Sequence, residues 1–259
     1  RGVVTQESKP PASMAPALFD LTSLQREANG RFGFSAKNTL GLAQALYEKH
    51  KVLTYPRTDS RHLPEDYIQT VKETMTALAD TNNYNQFAKQ VSKNGWVKPN
   101  KRIFDNTKIS DHFAIIPTGV APKNLSEPEQ KLYDLVTRRF LAVFFPPAEF
   151  LVTTRFTEVT GHQFKTEGKV MTNPGWLAVY GKDTTGDDKD GATLVPVAKG
   201  EKVLTDKITA NGLVTKPPAR YSEATLLSAM EGAGKLLDSD ELRDAMAGKG
   251  LGTPATRAA

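Results

Sequence analysis

The sequence predicts an α+β, multidomain protein, and three observations carry that prediction. Helical periodicity with capping signals runs from Thr22 to Val143. From Phe150 to Thr215, apolar residues alternate with polar ones between clusters of Gly, Asn and Asp. Helical signals return after Pro217-Pro218. With 259 residues the chain is long enough to bury a substantial core in two or three structural units.

Taken in order, residues 1–17 are rich in Pro, Ser and Ala and read as an extended strand or linker. Thr22-x-x-Gln25 has capping-box spacing, so a helix is predicted from Thr22, ended by Gly30 and Gly33. Ser35 caps a second helix with Ala36, Leu40, Ala43 and Tyr47 on one apolar face, and this helix delivers the chain to Tyr55. Pro64, Glu65 and Asp66 suit the first turn of a third helix that buries Ile68, Val71, Met75 and Leu78. The Asn-rich run from Thr81 to Asn85 reads as a loop. Ser126-x-x-Glu129 opens a fourth helix, with Leu132, Leu135, Val136, Phe140 and Val143 inward, which stops before Pro146-Pro147. Phe150, Val152 and Phe156 share one face of a strand, and Lys202-Val203-Leu204 and Lys207-Ile208 are further short strands of antiparallel β structure. Ser222 then caps a helix containing Leu226, Leu227 and Met230. Gly232 and Gly234 separate it from another containing Leu242 and Met246. No internal repeat is evident.

A formal charge of +5 permits a polyanionic partner without establishing one. The chain has no cysteine, which removes disulfides, thiol catalysis and Cys-based zinc sites together. Neither a signal-peptide pattern nor an apolar run of transmembrane length is present, so a cytoplasmic location without a membrane partner is expected. The chain begins at Arg1 and stops just after Thr253-Pro254, a cap and first helical position, and it reads as a piece of a longer protein.

Chemistry concentrates in Val52-Leu53-Thr54-Tyr55-Pro56-Arg57-Thr58-Asp59-Ser60. In an extended segment residues i and i+2 share a face, so the Tyr55 phenol and the Arg57 guanidinium can meet one substrate group. Phosphate is the natural candidate, because Arg binds its oxygens bidentately and Tyr can act as a covalent nucleophile. Forming a phenolate at neutral pH costs about 4 kcal/mol, part of which a neighbouring guanidinium offsets. A proton acceptor, a second cation or a metal must supply the rest.

These nine residues together resemble the active-site segment of type IA DNA topoisomerases, and the proline after the tyrosine resembles the topoisomerase III branch. Further segments agree in order. Leu24-Gln25-Arg26-Glu27-Ala28 with Gly33-Phe34-Ser35-Ala36-Lys37 resembles the family's approach to its tyrosine, and Asp111-His112-Phe113-Ala114-Ile115-Ile116-Pro117-Thr118 its active-site histidine segment. Pro217-Pro218-Ala219-Arg220-Tyr221-Ser222-Glu223-Ala224 and Gly250-Leu251-Gly252-Thr253-Pro254-Ala255-Thr256 resemble its later DNA-binding helical region. The resemblance covers nearly the whole chain.

Several expectations follow from the resemblance. It implies a helical domain carrying the catalytic tyrosine, residues 17–145, inserted into an antiparallel β arch domain formed by 1–16 and 146–216. Residues 217–259 become part of a helical DNA-binding domain. It implies transient cleavage of single-stranded DNA through a 5′-phosphotyrosyl link at Tyr55, with Arg57 and His112 as the other catalytic residues, followed by strand passage and rejoining. Bond energy is conserved, which accords with the absence of a GxxxxGK[ST] phosphate loop. Thr256 is placed near bound DNA by its motif. Lys37 and Arg26 join it through their closeness in sequence to the catalytic segment, and Gln44 lies on the helix leading to Tyr55. Glu48, Asp59, Ser60 and Asp111 are supporting residues.

No metal site is assigned within the chain. Mg2+ is expected for the full-length enzyme, held by the acidic residues of an N-terminal Toprim domain acting in cis. The isolated chain is accordingly expected to bind single-stranded DNA as a monomer and to lack full activity. The implied setting is the bacterial cytoplasm, in association with the nucleoid.

Two acidic runs are decoys for a metal site. Asp187-Asp188-Lys189-Asp190 lies between Gly186 and Gly191 and reads as a hairpin loop, and Asp238-Ser239-Asp240-Glu241 as a helix N-terminal cap. Lys98, Lys101 and Arg102 form a further basic cluster. A tyrosine recombinase is disfavoured, because Ile115 stands three residues after His112 where its H-x-x-R box needs Arg. A non-catalytic single-strand-binding module is the alternative function, for which basic and stacking aromatic residues suffice.

Overall fold

The computed structural model describes residues 2–184, 194–195, 197–236, 238–246 and 250–257. The chain separates into two compact units, Arg1–Ala15 with Pro146–Pro218 and Pro16–Phe145 with Ala219–Ala259.

The first unit is built on an antiparallel sheet. β1 (Gly2–Lys9) pairs along its whole length with β3 (Ala148–Val159), Gly2 opposite Val159 and Lys9 opposite Val152. The two-residue β2 (Ala12–Ser13) extends this pairing to the start of β3. β4 (His162–Asn173) covers the other edge of β3 through a two-residue turn. Thr160 and Gly161 both have positive φ there, 50° and 80°, as a turn matching the twist of a hairpin requires. β5 (Lys202–Val203) adds to the far edge of β1. The predicted shared face of β3 forms, but its burial fades from Phe150 at 7% exposure to Phe156 at 38%. Lys207-Ile208, read from sequence as a strand, is not one: pairing with β1 ends at Val203 opposite Gly2, and Ile208 is exposed.

The second unit is helical. Asp20, not Thr22, caps α1 (Leu21–Phe32): its Oδ1 accepts from the Ser23 amide at 2.7 Å, and Ser23 Oγ accepts from the Asp20 amide at 3.1 Å. Thr22 and Gln25 share the capping-box spacing but are buried within the helix. Gly30 stays helical, while Gly33, at φ 68°, ends the helix in the left-handed region. Ser35 does cap α2 (Ala36–Glu48), accepting from the Asn38 amide at 3.1 Å. Its buried stripe is Ala36, Thr39, Ala43 and Leu46, displaced by one position from the Leu40 and Tyr47 that apolarity alone selects. Glu65–Tyr67 form a 3-10 turn leading into α3 (Ile68–Ala79).

α4 (Asn85–Lys93) has no counterpart in the sequence reading. It buries only Ala88 and Val91, too sparse an apolar pattern to stand out in Asn-Gln-Phe-Ala-Lys-Gln-Val-Ser-Lys. α5 (Glu127–Ala142) opens with the expected capping box, and Leu132, Leu135, Val136, Phe140 and Val143 are all buried. α6 (Glu223–Glu231) packs against α1, and α7 (Asp240–Ala245) is capped by Ser239. Asp240 pairs with Arg243 at 2.8 Å, so the run around it is a helix start. Asp187 to Asp190 lie outside the described residues. No helix among the described residues is long and apolar enough to cross a membrane.

Glu129 links two parts of the helical unit. It accepts from the Ser126 amide at 2.8 Å and meets His50 Nε2 at 3.2 Å, with both side chains largely buried. The Ser126 amide, then the Ser126 hydroxyl, hold its carboxyl below the usual carboxylate range. Because the folded state depresses this pKa, its contribution is complete above the ordinary value of about 4.3 and is lost as pH falls through the depressed value. Glu129→Ala is expected to destabilise the chain by about 1 to 2 kcal/mol at pH 7 in urea unfolding. The difference from wild type should narrow progressively below about pH 4.

Candidate active site

The segment after α2 is extended without being a strand, and alternation sorts its side chains. Pro56, Thr58 and Ser60 are buried, whereas Arg57 and Asp59 are exposed and Tyr55 is half-buried. Tyr55 and Arg57 therefore do lie on the solvent side of an i, i+2 pattern. The inward hydroxyls explain why the segment holds this shape. Thr54 Oγ donates to the Ala114 carbonyl at 3.0 Å and accepts from the Ile116 amide at 2.9 Å. Thr58 Oγ donates to the His112 carbonyl at 2.9 Å, and the Thr58 carbonyl accepts from the Leu21 amide at 3.0 Å. Ser60 Oγ donates to the Lys108 carbonyl at 2.8 Å. The segment bearing Tyr55 is thus stitched to the one bearing His112, 57 positions away by their residue numbers.

The stitching sets the His112 ring against the Tyr55 ring, centroids 4.3 Å apart and tilted by 48°. The contact is ring to ring, with no hydrogen bond between the two side chains. Tyr55 also meets Tyr47 edge-on, ring centroids 5.4 Å apart, and Lys51 Nζ lies 5.8 Å from the Tyr47 ring centre. Tyr47, read from sequence only as part of an apolar face, is therefore a neighbour of the candidate nucleophile. Its position eight residues before Tyr55, at the end of the helix that leads there, was the signal that could have found it.

Arg57, Asp59, Ser110, Asp111 and His112 form one wall of a cleft of about 200 Å³, with Thr253 to Ala255 opposite. The far wall is fixed by Gly250, whose φ is 63°. A Cβ there would fall 2.6 Å from the Met230 and Glu231 carbonyls, and the next amide, Leu251, donates to Met230 at 2.7 Å. Asp59 accepts from Ser110 Oγ at 3.2 Å, which ties the near wall together.

The remaining sequence candidates divide. Gln44 accepts from Arg57 at 3.1 Å and donates to Glu48 at 2.8 Å, so Gln44 and Glu48 form a relay that holds the guanidinium. Thr256 Oγ is spent on the Thr253 amide at 2.8 Å, in a reciprocal cap. Lys37 lines a separate cleft with Glu223 and Arg257, and Arg26 pairs with Glu231 at 3.7 Å. Neither lines the cleft of Arg57 and His112. Among the described residues no three His, Asp or Glu side chains converge as a metal donor set. Glu48 is instead engaged with Gln44, and Asp59 with Ser110.

The relay carries a prediction. Gln44→Leu leaves Arg57 without its holder and should lower the rate of any phosphate chemistry at the cleft about tenfold, the loss of one charge-assisted hydrogen bond. Single-turnover kinetics would show it as a fall in rate with little change in DNA affinity.

A family model described as DNA topoisomerase matches residues 2–259. DNA topoisomerase 3 of Bacillus licheniformis is 46% identical over 253 residues, covering 95% of this chain and 34% of the relative. DNA topoisomerase 3 of Bacillus subtilis is 44% identical over 255 residues, covering 95% and 35%. The chain thus spans about a third of the length of these relatives. Full-length topoisomerase I from Thermotoga maritima superposes with a TM-score of 0.64 at 22% identity, over 99% of this chain and 39% of that one, a likeness of fold. With a family model matched from end to end and relatives above 40% identity, the chain belongs to the DNA topoisomerase family, in its type IA, topoisomerase III-like branch.

Proposed function

We propose that this chain supplies the nucleophile of a type IA topoisomerase reaction on single-stranded DNA, with Tyr55 as the attacking residue. The observation that carries the reading is the meeting of Arg57 and His112 at one cleft with the Tyr55 ring packed against His112, from segments joined by buried Thr and Ser hydroxyls. Tyr55 Oη forms a bond to phosphorus while the bond from phosphorus to the 3′ oxygen breaks. The phenolic proton leaves to His112 or to water, and the departing 3′ oxygen takes one up. Rejoining runs the same exchange backwards once a second strand has passed.

Arg57, held by Gln44, neutralises charge on the attacked phosphodiester as it develops. His112 and Tyr47 flank the Tyr55 ring and limit its rotation, which keeps the hydroxyl in a near-attack position. The family resemblance assigns Mg2+ to acidic residues of a Toprim domain. The 17–145 segment is read as the tyrosine-bearing domain, 1–16 with 146–216 as the β arch, and 217–259 as the DNA-binding helical part.

End-labelled oligonucleotides test the direction of attack in the full-length protein carrying this chain. A 3′-labelled strand should remain with the protein after denaturation, and a 5′-labelled strand should be released as a shorter fragment. The opposite retention would sink the proposed 5′-phosphotyrosyl link.

A further inference from the structure

Residues 89–108 contain Lys89, Lys93, Lys98, Lys101, Arg102 and Lys108 against the single acid Asp105, a net +5 that equals the formal charge of the whole chain. The remainder of the protein is therefore balanced, and its excess charge sits in twenty residues of the helical unit. Lys89, Lys93, Lys98 and Lys108 are exposed, and none of these four forms an ion pair among the described residues. Lys101 is the exception, paired with Glu65 and close to Asp105.

Aromatic surface is interleaved with this charge. After α4, Gly95, at φ 61°, turns the chain so that Val97 is buried and Trp96 is left half-exposed between Lys93 and Lys98. The Trp96 ring is braced edge-on by Phe145 at 4.9 Å. A rigid indole flanked by unpaired lysines suits a nucleic-acid strand with its bases unstacked, since every base offers a π face and every linkage a charge.

The surface is also continuous with the cleft lined by Arg57 and His112. Leu63 and Phe104 form a parallel bridge, the Lys108 carbonyl accepts from Ser60, and Ser110 lines the cleft itself. The strip from 104 to 112 thus runs beside 57–63, from the basic segment to the catalytic wall.

We infer that the surface formed by Lys89, Lys93, Trp96, Lys98 and Lys108 is a second binding surface for single-stranded DNA, holding the strand where it leaves the cleft lined by Arg57 and His112. This rests on the proposed function, and the test separates the two. The four unpaired lysines are changed together to Ala in the whole chain, with Trp176→Phe so that Trp96 is the sole indole. Binding is measured with a short oligonucleotide that fills only the cleft and with a long one.

For the long strand, the quadruple variant should reduce the slope of log affinity against log salt by roughly 2 to 3, about 0.7 for each phosphate that is no longer neutralised. Trp96 fluorescence should be quenched by the long strand alone, and short-strand affinity should not change. An unchanged slope for the long strand, with both strands still bound, would overturn this inference and leave the cleft standing. Tighter binding of a duplex of equal charge would overturn the assignment to single strands. If wild type bound neither strand, the proposed function would fail along with it.

Discussion

Tyr55→Phe in the full-length protein carrying this chain is expected to abolish strand cleavage, a loss on the order of 10⁵-fold or more, as for removal of a covalent nucleophile. Affinity for single-stranded DNA should stay within about twofold. The substitution removes one oxygen and keeps the ring, so the packing against Tyr47 and His112 survives. Cleavage in single turnover and binding in native gels give the two readouts on the same protein. The control is specific because a second phenol lies close by: Tyr47, with its ring centre 5.4 Å from that of Tyr55. Cleavage that persists in Tyr55→Phe and disappears in Tyr47→Phe would move the nucleophile to the end of the preceding helix. Loss of binding in Tyr55→Phe would mean the phenol serves recognition, as a non-catalytic binding module would use it.

The largest expected effect on stability is that of Arg139→Ala. Arg139 is 8% exposed, and its guanidinium is committed on three sides. Nη1 donates to the Ala17 carbonyl at 2.9 Å, Nη2 forms an ion pair with Glu27, and the guanidinium carbon lies 4.1 Å over the centre of the Phe19 ring. Truncation leaves the Ala17 carbonyl without this donor and Glu27 with only its exposed partner, Arg31, at 2.9 Å. A loss of about 3 to 5 kcal/mol is expected in urea unfolding, the range for breaking one side of a buried pair. Arg139→Met, which keeps the stem volume and drops the charge, should recover little, since Glu27 is left with the exposed Arg31 alone. A loss below about 1 kcal/mol for Arg139→Ala would show that water replaces the guanidinium and that this interior is less closed than its packing indicates.

Much of the site was legible because its signals are local. The i, i+2 placement of Tyr55 and Arg57 needed only the period of an extended chain, and the cap at Ser35 and the box at Ser126 needed only short spacings. What escaped the sequence was decided over distance. Asp20 wins the first helix cap over Thr22 because it also accepts from Arg61 at 2.7 Å, a partner 41 residues away. The role of Gln44 turned on which side chain it would meet, and it meets Arg57. Lys207-Ile208 has strand-like residues but no neighbour in register. α4 was hidden for a different reason, since two buried residues in nine make too weak a stripe to read against Asn, Gln and Lys. Tyr47 and Thr58 were the functional neighbours overlooked. Thr58 could have been found by asking which side chains of the segment alternate inward with Pro56 and Ser60.

The central claim is that Tyr55 becomes covalently joined to DNA. The most direct measurement traps the full-length protein on an oligonucleotide, digests the denatured adduct with protease and nuclease, and locates the added mass by fragmentation. A nucleotide 5′-phosphate on Tyr55, within the peptide that contains Pro56 and Arg57, is the expected result. The same mass on Tyr47 or another side chain, or cleaved DNA with no modified peptide, would contradict it.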